Sequence, residues 1–220
     1  MQGAPRVVVG VESRYDRSTM AEPARRQARR YTYGDLEHVP DGERWEIIDG
    51  VLYDMSPAPK RLHQGLSIRL ASQLLATAEP LGCETYDAPF DVRLPDADEG
   101  DDEVATVVQP DIVVVCDTAK LDDAGCRGAP ELVVEILSPR TSFKDQTQKL
   151  ELYERHGVAE YWVINPEAGW LMVYRQEEGR RPEERRFAKP SYFRKDESVP
   201  VGILAGEEID LRSVFPSRKS

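Results

Sequence analysis

Two short runs in this 220-residue chain carry a carboxylate where an apolar side chain is expected. Val108-Gln109-Pro110-Asp111-Ile112-Val113-Val114-Val115 holds Asp111, and Glu131-Leu132-Val133-Val134-Glu135-Ile136-Leu137-Ser138-Pro139 holds Glu135. Both runs are rich in β-branched residues and read as buried strands. A buried carboxylate is unfavourable unless it is paired or holds a cation. On adjacent strands the two would form a hard-oxygen pocket suited to Mg²⁺ or Mn²⁺, with the backbone carbonyl of Ile136 as a third donor. Mg²⁺ uses one or two protein carboxylates and completes its shell with water and phosphate, so this donor count suffices. The chemistry to expect is metal-dependent phosphodiester hydrolysis, in which the ion polarises a phosphoryl oxygen and lowers the pKa of a bound water.

Such a site also needs a cation of the protein's own, to orient the water or to offset charge building on phosphate. Lys149 is the candidate. On a helix over about 142–156 it shares a face with Leu152, Tyr153 and His156, at i+3, i+4 and i+7. If Leu152 and Tyr153 face the sheet, Lys149 leans the same way and needs an anionic partner. The same residues allow a structural reading. Asp145 and Lys149 would form an exposed i,i+4 pair worth only about 0.2–0.5 kcal/mol. Asp111 would then cap a turn after Pro110, and Glu135 would pair with an arginine such as Arg140.

The elements that must position these groups follow from the pattern of the chain. Trp45 to Met55 gives two strand-like runs around Asp49-Gly50, a hairpin signal ended by Pro57 and Pro59. From Leu62 to Ala78, Leu66, Leu70 and Leu74 form one row of an amphipathic helix, with Ala71, Leu75 and Ala78 beside it. His63 lies on the edge of that buried face, and Pro80 and Gly82 stop the helix. The run Cys83–Leu94 reads as a strand with Pro89 marking an edge or bulge. A solvated acidic loop from Asp96 to Glu103 leads to the Asp111 strand, and turn-rich residues 117–130 lead to the Glu135 strand. Ser142 with Asp145 resembles a capping box for the Lys149 helix, and Gly157 is a natural stop. Tyr161–Ile164 and Trp170–Tyr174 pair across Glu167-Ala168-Gly169, with a late strand at 197–201 and Ile209-Asp210-Leu211 as an anchor. Thr32 would N-cap a helical turn over the next four residues. One mixed sheet flanked by helices accounts for this order: an α/β (α+β) arrangement in a single domain over residues 31–215. Residues 1–30 read as a disordered basic leader carrying Arg25, Arg26, Arg29 and Arg30, with Met20 a candidate start.

Composition narrows the function. A net charge of −11 argues against tight, nonspecific DNA binding, so any positive surface must be local. Three cysteines (Cys83, Cys116 and Cys126) without a C-x-x-C spacing read as buried reduced thiols in a cytoplasmic protein. The histidines are scattered and give no zinc spacing. There is no apolar run long enough to span a bilayer and no secretory signal pattern.

Several motifs together carry a resemblance. They are Trp45-Glu46-Ile47-Ile48-Asp49-Gly50, Met55-Ser56-Pro57, His63-Gln64, Gln109-Pro110-Asp111, Val134-Glu135-Ile136-Leu137-Ser138-Pro139, Lys149-Leu150 with Tyr153, and Gly157-Val158 running on to Glu160-Tyr161-Trp162-Val163-Ile164-Asn165-Pro166. In this order, over roughly residues 31–175, they closely resemble the Uma-type family of restriction endonuclease-like proteins, within the PD-(D/E)XK nuclease superfamily. The resemblance implies an αβββαβ core and a metal-dependent nuclease site. Asp111 would be the acid of the PD element and Glu135 the acidic member of (D/E)XK. Position 137 is Leu where that motif has Lys, and the resemblance moves the lysine to the next helix, at Lys149. It also carries over Glu46 as a further acidic ligand or water-positioning group, and His63, although either would equally serve with a structural partner. The expectation is a Mg²⁺- or Mn²⁺-dependent DNA endonuclease, working as a homodimer. Two rivals stand beside it. One is an interaction module that kept the fold and lost the activity, and the other a metal-dependent hydrolase of small phosphoesters, which suits an acidic surface.

Overall fold

The computed structural model describes residues 29–36, 38–39, 43–55, 59–138, 147–177, 179 and 181–215. Expectations for the leader before residue 29, for Met20, for the Ser142–Asp145 cap, for the Asp145–Lys149 pair and for Arg140 lie outside the described residues.

After a single helical turn, α1 (Tyr33–Leu36), strands β1 (Trp45–Ile48) and β2 (Val51–Asp54) form the expected hairpin. Its two turn residues, Asp49 and Gly50, have φ of 53° and 79°. A two-residue turn with positive φ at both positions matches the twist of its strands, which is why Asp-Gly encodes it. Helix α2 (Arg61–Ala78) buries Leu66, Leu70, Leu74 and Ala78. Leu75, expected beside that row, is 46% exposed, because the residue after Leu74 points about 100° away from it.

The remaining strands are β3 (Glu84–Asp87), β4 (Val92–Arg93), β5 (Val107–Val108), β6 (Ile112–Val115), β7 (Leu121–Asp122), β8 (Gly125–Arg127) and β9 (Leu132–Ile136). Helix α3 (Gln148–His156) follows, then β10 (Glu160–Asn165), β11 (Trp170–Arg175), β12 (Ser191–Arg194), β13 (Ser198–Pro200), β14 (Glu208–Asp210) and the short α4 (Leu211–Val214). The fold is mixed α/β, but its strands divide into two six-stranded sheets, not the one sheet foreseen. One has the order β2-β1-β5-β4-β8-β7 and the other β12-β11-β10-β9-β6-β3, with β13 and β14 as a separate pair. The break lies where Pro89 interrupts the Cys83–Leu94 run: β3 joins the second sheet and β4 the first. The turn-rich stretch 117–130, for which no strand was foreseen, contains the β7–β8 hairpin.

Alternation along the strands sorts side chains into two layers. Ile112, Val114, Leu132, Val134 and Ile136 pack with the α2 leucines and the C-terminal Ile209 and Leu211. Val113, Val115, Val133 and Val163 face the other way, against Ile48, Val92 and Val108 of the first sheet and Leu152 and Tyr153 of α3. Arg93, only 1% exposed, anchors part of the acidic stretch expected to be solvated. Its guanidinium donates to Asp101 and to both oxygens of Asp122.

The cysteine expectation is overturned. Cys83 and Cys116 form a disulfide. They directly precede β3 and follow β6, whose register pairs Glu84 with Val115, so one further step sets the two cysteines face to face with Cα atoms 4.0 Å apart. Cys126 alone is a free, buried thiol, and burial pushes its pKa up to about 11. The thiol argument for a cytoplasmic location falls with the disulfide. Among the described residues no helix is long and apolar enough to cross a membrane.

Candidate active site

Glu135 shares its strand face with Val133 and therefore points into the layer between the sheets, where α3 and the hairpin also arrive. Glu46 shares the β1 face of Ile48 and enters the same layer from the opposite side. On α3, Lys149, Leu152 and Tyr153 form one buried stripe at i, i+3 and i+4, with Gly157 in the left-handed conformation closing the helix.

These elements bring together groups that are far apart in sequence. The Lys149 ammonium donates to Glu46 Oε1 at 2.8 Å and to Glu135 Oε1 at 2.6 Å. The Tyr153 hydroxyl donates to the same Glu135 oxygen at 2.8 Å. Glu46 Oε1 also accepts the backbone N–H of Gln109 at 3.0 Å. Glu46, Glu135 and Lys149 are 0%, 4% and 1% exposed, so these ionic contacts are shielded from water.

Asp111 stands at the rim of this buried group. The β6–β9 register pairs Ile112 with Val134, which places Asp111, one residue before β6, opposite Glu135. Its Oδ2 accepts the Ile136 N–H at 2.7 Å and lies 3.2 Å from Nε2 of His63, which reaches over from α2. Asp111 thus bonds across to β9 and does not cap the turn after Pro110. The other ring nitrogen of His63, Nδ1, is buried without a hydrogen-bond partner among the described residues. All five candidates are therefore accounted for: Glu46, Glu135 and Lys149 meet directly, and Asp111 with His63 is joined to them through β9. Position 137 is a buried leucine, and the ammonium on Glu135 comes from α3.

Two members were not singled out from sequence. Tyr153 reads there as a core-facing residue of the helix and a member of one resemblance motif, with no role given to it, yet its hydroxyl shares Glu135 with Lys149. Gln109 is a strand-end residue whose backbone holds Glu46 and whose side chain bridges Arg44 and Asp91 at 2.9 and 2.8 Å. No local pattern reports either role, because both depend on partners 18 to 65 positions away.

The profile of the Uma2 family, described as "Putative restriction endonuclease", matches residues 30–208. The chain belongs to the Uma2 family. A curated relative of this Uma2 chain, an uncharacterized protein of Synechocystis sp., is 25% identical over 122 residues. The match takes in 56% of the chain, which spans 60% of that relative's length. A solved structure, a "putative nuclease belonging to DUF820" from Anabaena variabilis, superposes with a TM-score of 0.63 at 21% identity. The superposition covers 84% of this chain and 97% of that one, which establishes a shared fold.

Whether the donors suit a divalent ion is a question of chemistry. Among the described residues no three His, Cys, Asp or Glu side chains are grouped to hold a metal. Mg²⁺ does not require three, since one or two carboxylates with water and phosphate satisfy it. Asp111 and Glu135, opposed across β6 and β9 and supplying only hard oxygen, fit that requirement.

Proposed function

We propose that this Uma2 protein is a Mg²⁺- or Mn²⁺-dependent DNA endonuclease of the PD-(D/E)XK type, working as a homodimer. The observation that supports the reading best is the arrival of the buried Lys149 ammonium on Glu135, one strand away from Asp111. Lysine is normally solvated, and burying it between two carboxylates requires the hairpin, β9 and α3 to converge on one point.

Asp111 and Glu135 would hold the ion, which when bound supplies Lewis-acid polarisation and a more acidic water. Glu46 and Tyr153 fix the Lys149 ammonium and the Glu135 carboxylate in place before any substrate arrives. Lys149 offsets negative charge building on the phosphate oxygens. His63, on the outer edge of Asp111, steadies that carboxylate from the α2 side. Shielding from water strengthens each of these contacts.

Calorimetric titration of the full chain with Mg²⁺ or Mn²⁺ tests the metal-binding half of the proposal. Saturable binding that is lost in both Asp111→Ala and Glu135→Gln is the expected result. Absence of binding in the wild-type chain would leave the inactive interaction module as the better reading. The net charge of −11 favours a second substrate class, small phosphoesters. A phosphatase screen in the same buffer separates the two.

A further inference from the structure

Beside Asp111 lies a cleft of about 430 Å³, lined among others by Tyr86, Phe90, Asp91, Gln109, Asp123 and Gly125. That volume falls within the range of clefts that take small organic ligands, about 300–1,000 Å³. The cleft is tied to the proposed catalytic group at two points. Ala88 N–H donates to the Asp111 carbonyl at 3.1 Å. Gln109, two residues before Asp111, donates its backbone N–H to Glu46.

The lining has a flat part and a polar part. The Tyr86 and Phe90 rings stack with centroids 4.2 Å apart and planes 6° from parallel, making a half-buried aromatic step. Next to it, one oxygen of Asp91 accepts from Gln109 Nε2 at 2.8 Å. The Gln109 amide is fixed in that sense because its Oε1 accepts from Arg44 Nε at 2.9 Å. Gly125 lets β8 close on this corner, since a Cβ there would lie 2.2 Å from the Asp91 carbonyl oxygen.

Charge excludes a phosphate from this cleft. Asp91 and Asp123 line it, and Asp122, also at its wall, already holds Arg93 through both oxygens. What fits a flat aromatic step beside acceptor oxygens is a planar heterocycle bearing N–H donors. We propose that the cleft is a nucleobase subsite, which stacks one unpaired guanine on the Tyr86–Phe90 step and reads its Watson–Crick edge with Asp91. This rests on the nuclease reading for its relevance, because it places a base of the substrate next to Asp111. Guanine is the base whose Watson–Crick edge carries two adjacent donors, N1–H and the 2-amino group, which a carboxylate can accept together. Stacking on an aromatic face with edge recognition is how unpaired bases are read. Burial pushes the Asp91 carboxyl above the usual carboxylate range, and two donors from guanine would favour its ionised form.

The test uses the full chain in EDTA and four deoxynucleosides, with deoxyinosine as a fifth probe that lacks only the 2-amino group. Binding is followed by calorimetry or saturation-transfer NMR. Deoxyguanosine should bind about 10-fold more tightly than the other three, and deoxyinosine should lose most of that advantage. Tyr86→Leu should weaken deoxyguanosine by about 10-fold. Asp91→Asn, isosteric and still able to accept from Gln109, should abolish the preference for guanine. Failure of deoxyguanosine to bind, equal binding of all probes, or a preference that survives Asp91→Asn would overturn the proposal. Because no metal and no cleavage enter the measurement, such a failure would leave the nuclease reading to its own assays.

Discussion

Lys149 is gripped by carboxylates from the two sides of the buried layer it enters, Glu46 on β1 and Glu135 on β9. Removing one member of a buried ion group leaves the others desolvated and unpaired, which costs about 3–5 kcal/mol. Lys149→Met should therefore lower the melting temperature by roughly 6–20 °C, at about 2–4 °C per kcal/mol for a chain of this size. Adding Glu46→Gln and Glu135→Gln to that variant should restore most of the loss, since neutral amides no longer face each other as buried like charges. Scanning calorimetry reads both. Asp111, Glu135 and Lys149 were legible in the sequence because a carboxylate in a β-branched run, or a lysine on an apolar helix stripe, breaks a pattern, whereas Glu46 and His63 came only from the family resemblance. Tyr153 breaks none, since an aromatic on a buried stripe is ordinary core. Gln109 holds Glu46 through its backbone N–H, a contact that side-chain chemistry does not report.

At the scale of elements, the hairpin and α2 were legible because their signals are local: two turn residues in one case, a leucine row in the other. The division into two sheets was not. It turns on which distant strand each half of the Cys83–Leu94 run pairs with, and period-2 alternation is the same for either choice. The disulfide was missed for the same reason, because Cys83 and Cys116 are opposed only once β3 pairs with β6. That bond closes a span of 33 residues. Constraining the unfolded chain over such a span stabilises by about 3–4 kcal/mol in the chain-entropy account. Cys83→Ala with Cys116→Ala should lose about that much in urea unfolding under non-reducing conditions, and dithiothreitol should reproduce the loss in the wild-type chain. An unchanged midpoint in both would mean the two thiols are not joined.

For the whole molecule, the two sheets enclose one largely apolar layer in which Glu46, Glu135 and Lys149 form a buried charged group, with α3 packed into it and Asp111 and His63 at its rim. The net charge of −11 and the acidic cleft should both direct phosphates elsewhere, towards the rim at Asp111, where a divalent ion shared with the buried Glu135 would offset their charge. Net charge is legible from composition alone, but where a charged backbone can approach is a property of the folded surface. The proposed activity requires hydrolysis at that rim. The direct measurement is the rate of supercoiled-plasmid nicking by the full chain in Mg²⁺, compared with EDTA and with Asp111→Asn in Mg²⁺. The expected result is nicking that needs the ion and falls at least ~100-fold in Asp111→Asn, since several kcal/mol of charge stabilisation are at stake. Nicking that persists in EDTA, or proceeds at the wild-type rate in a folded Asp111→Asn chain, would contradict it.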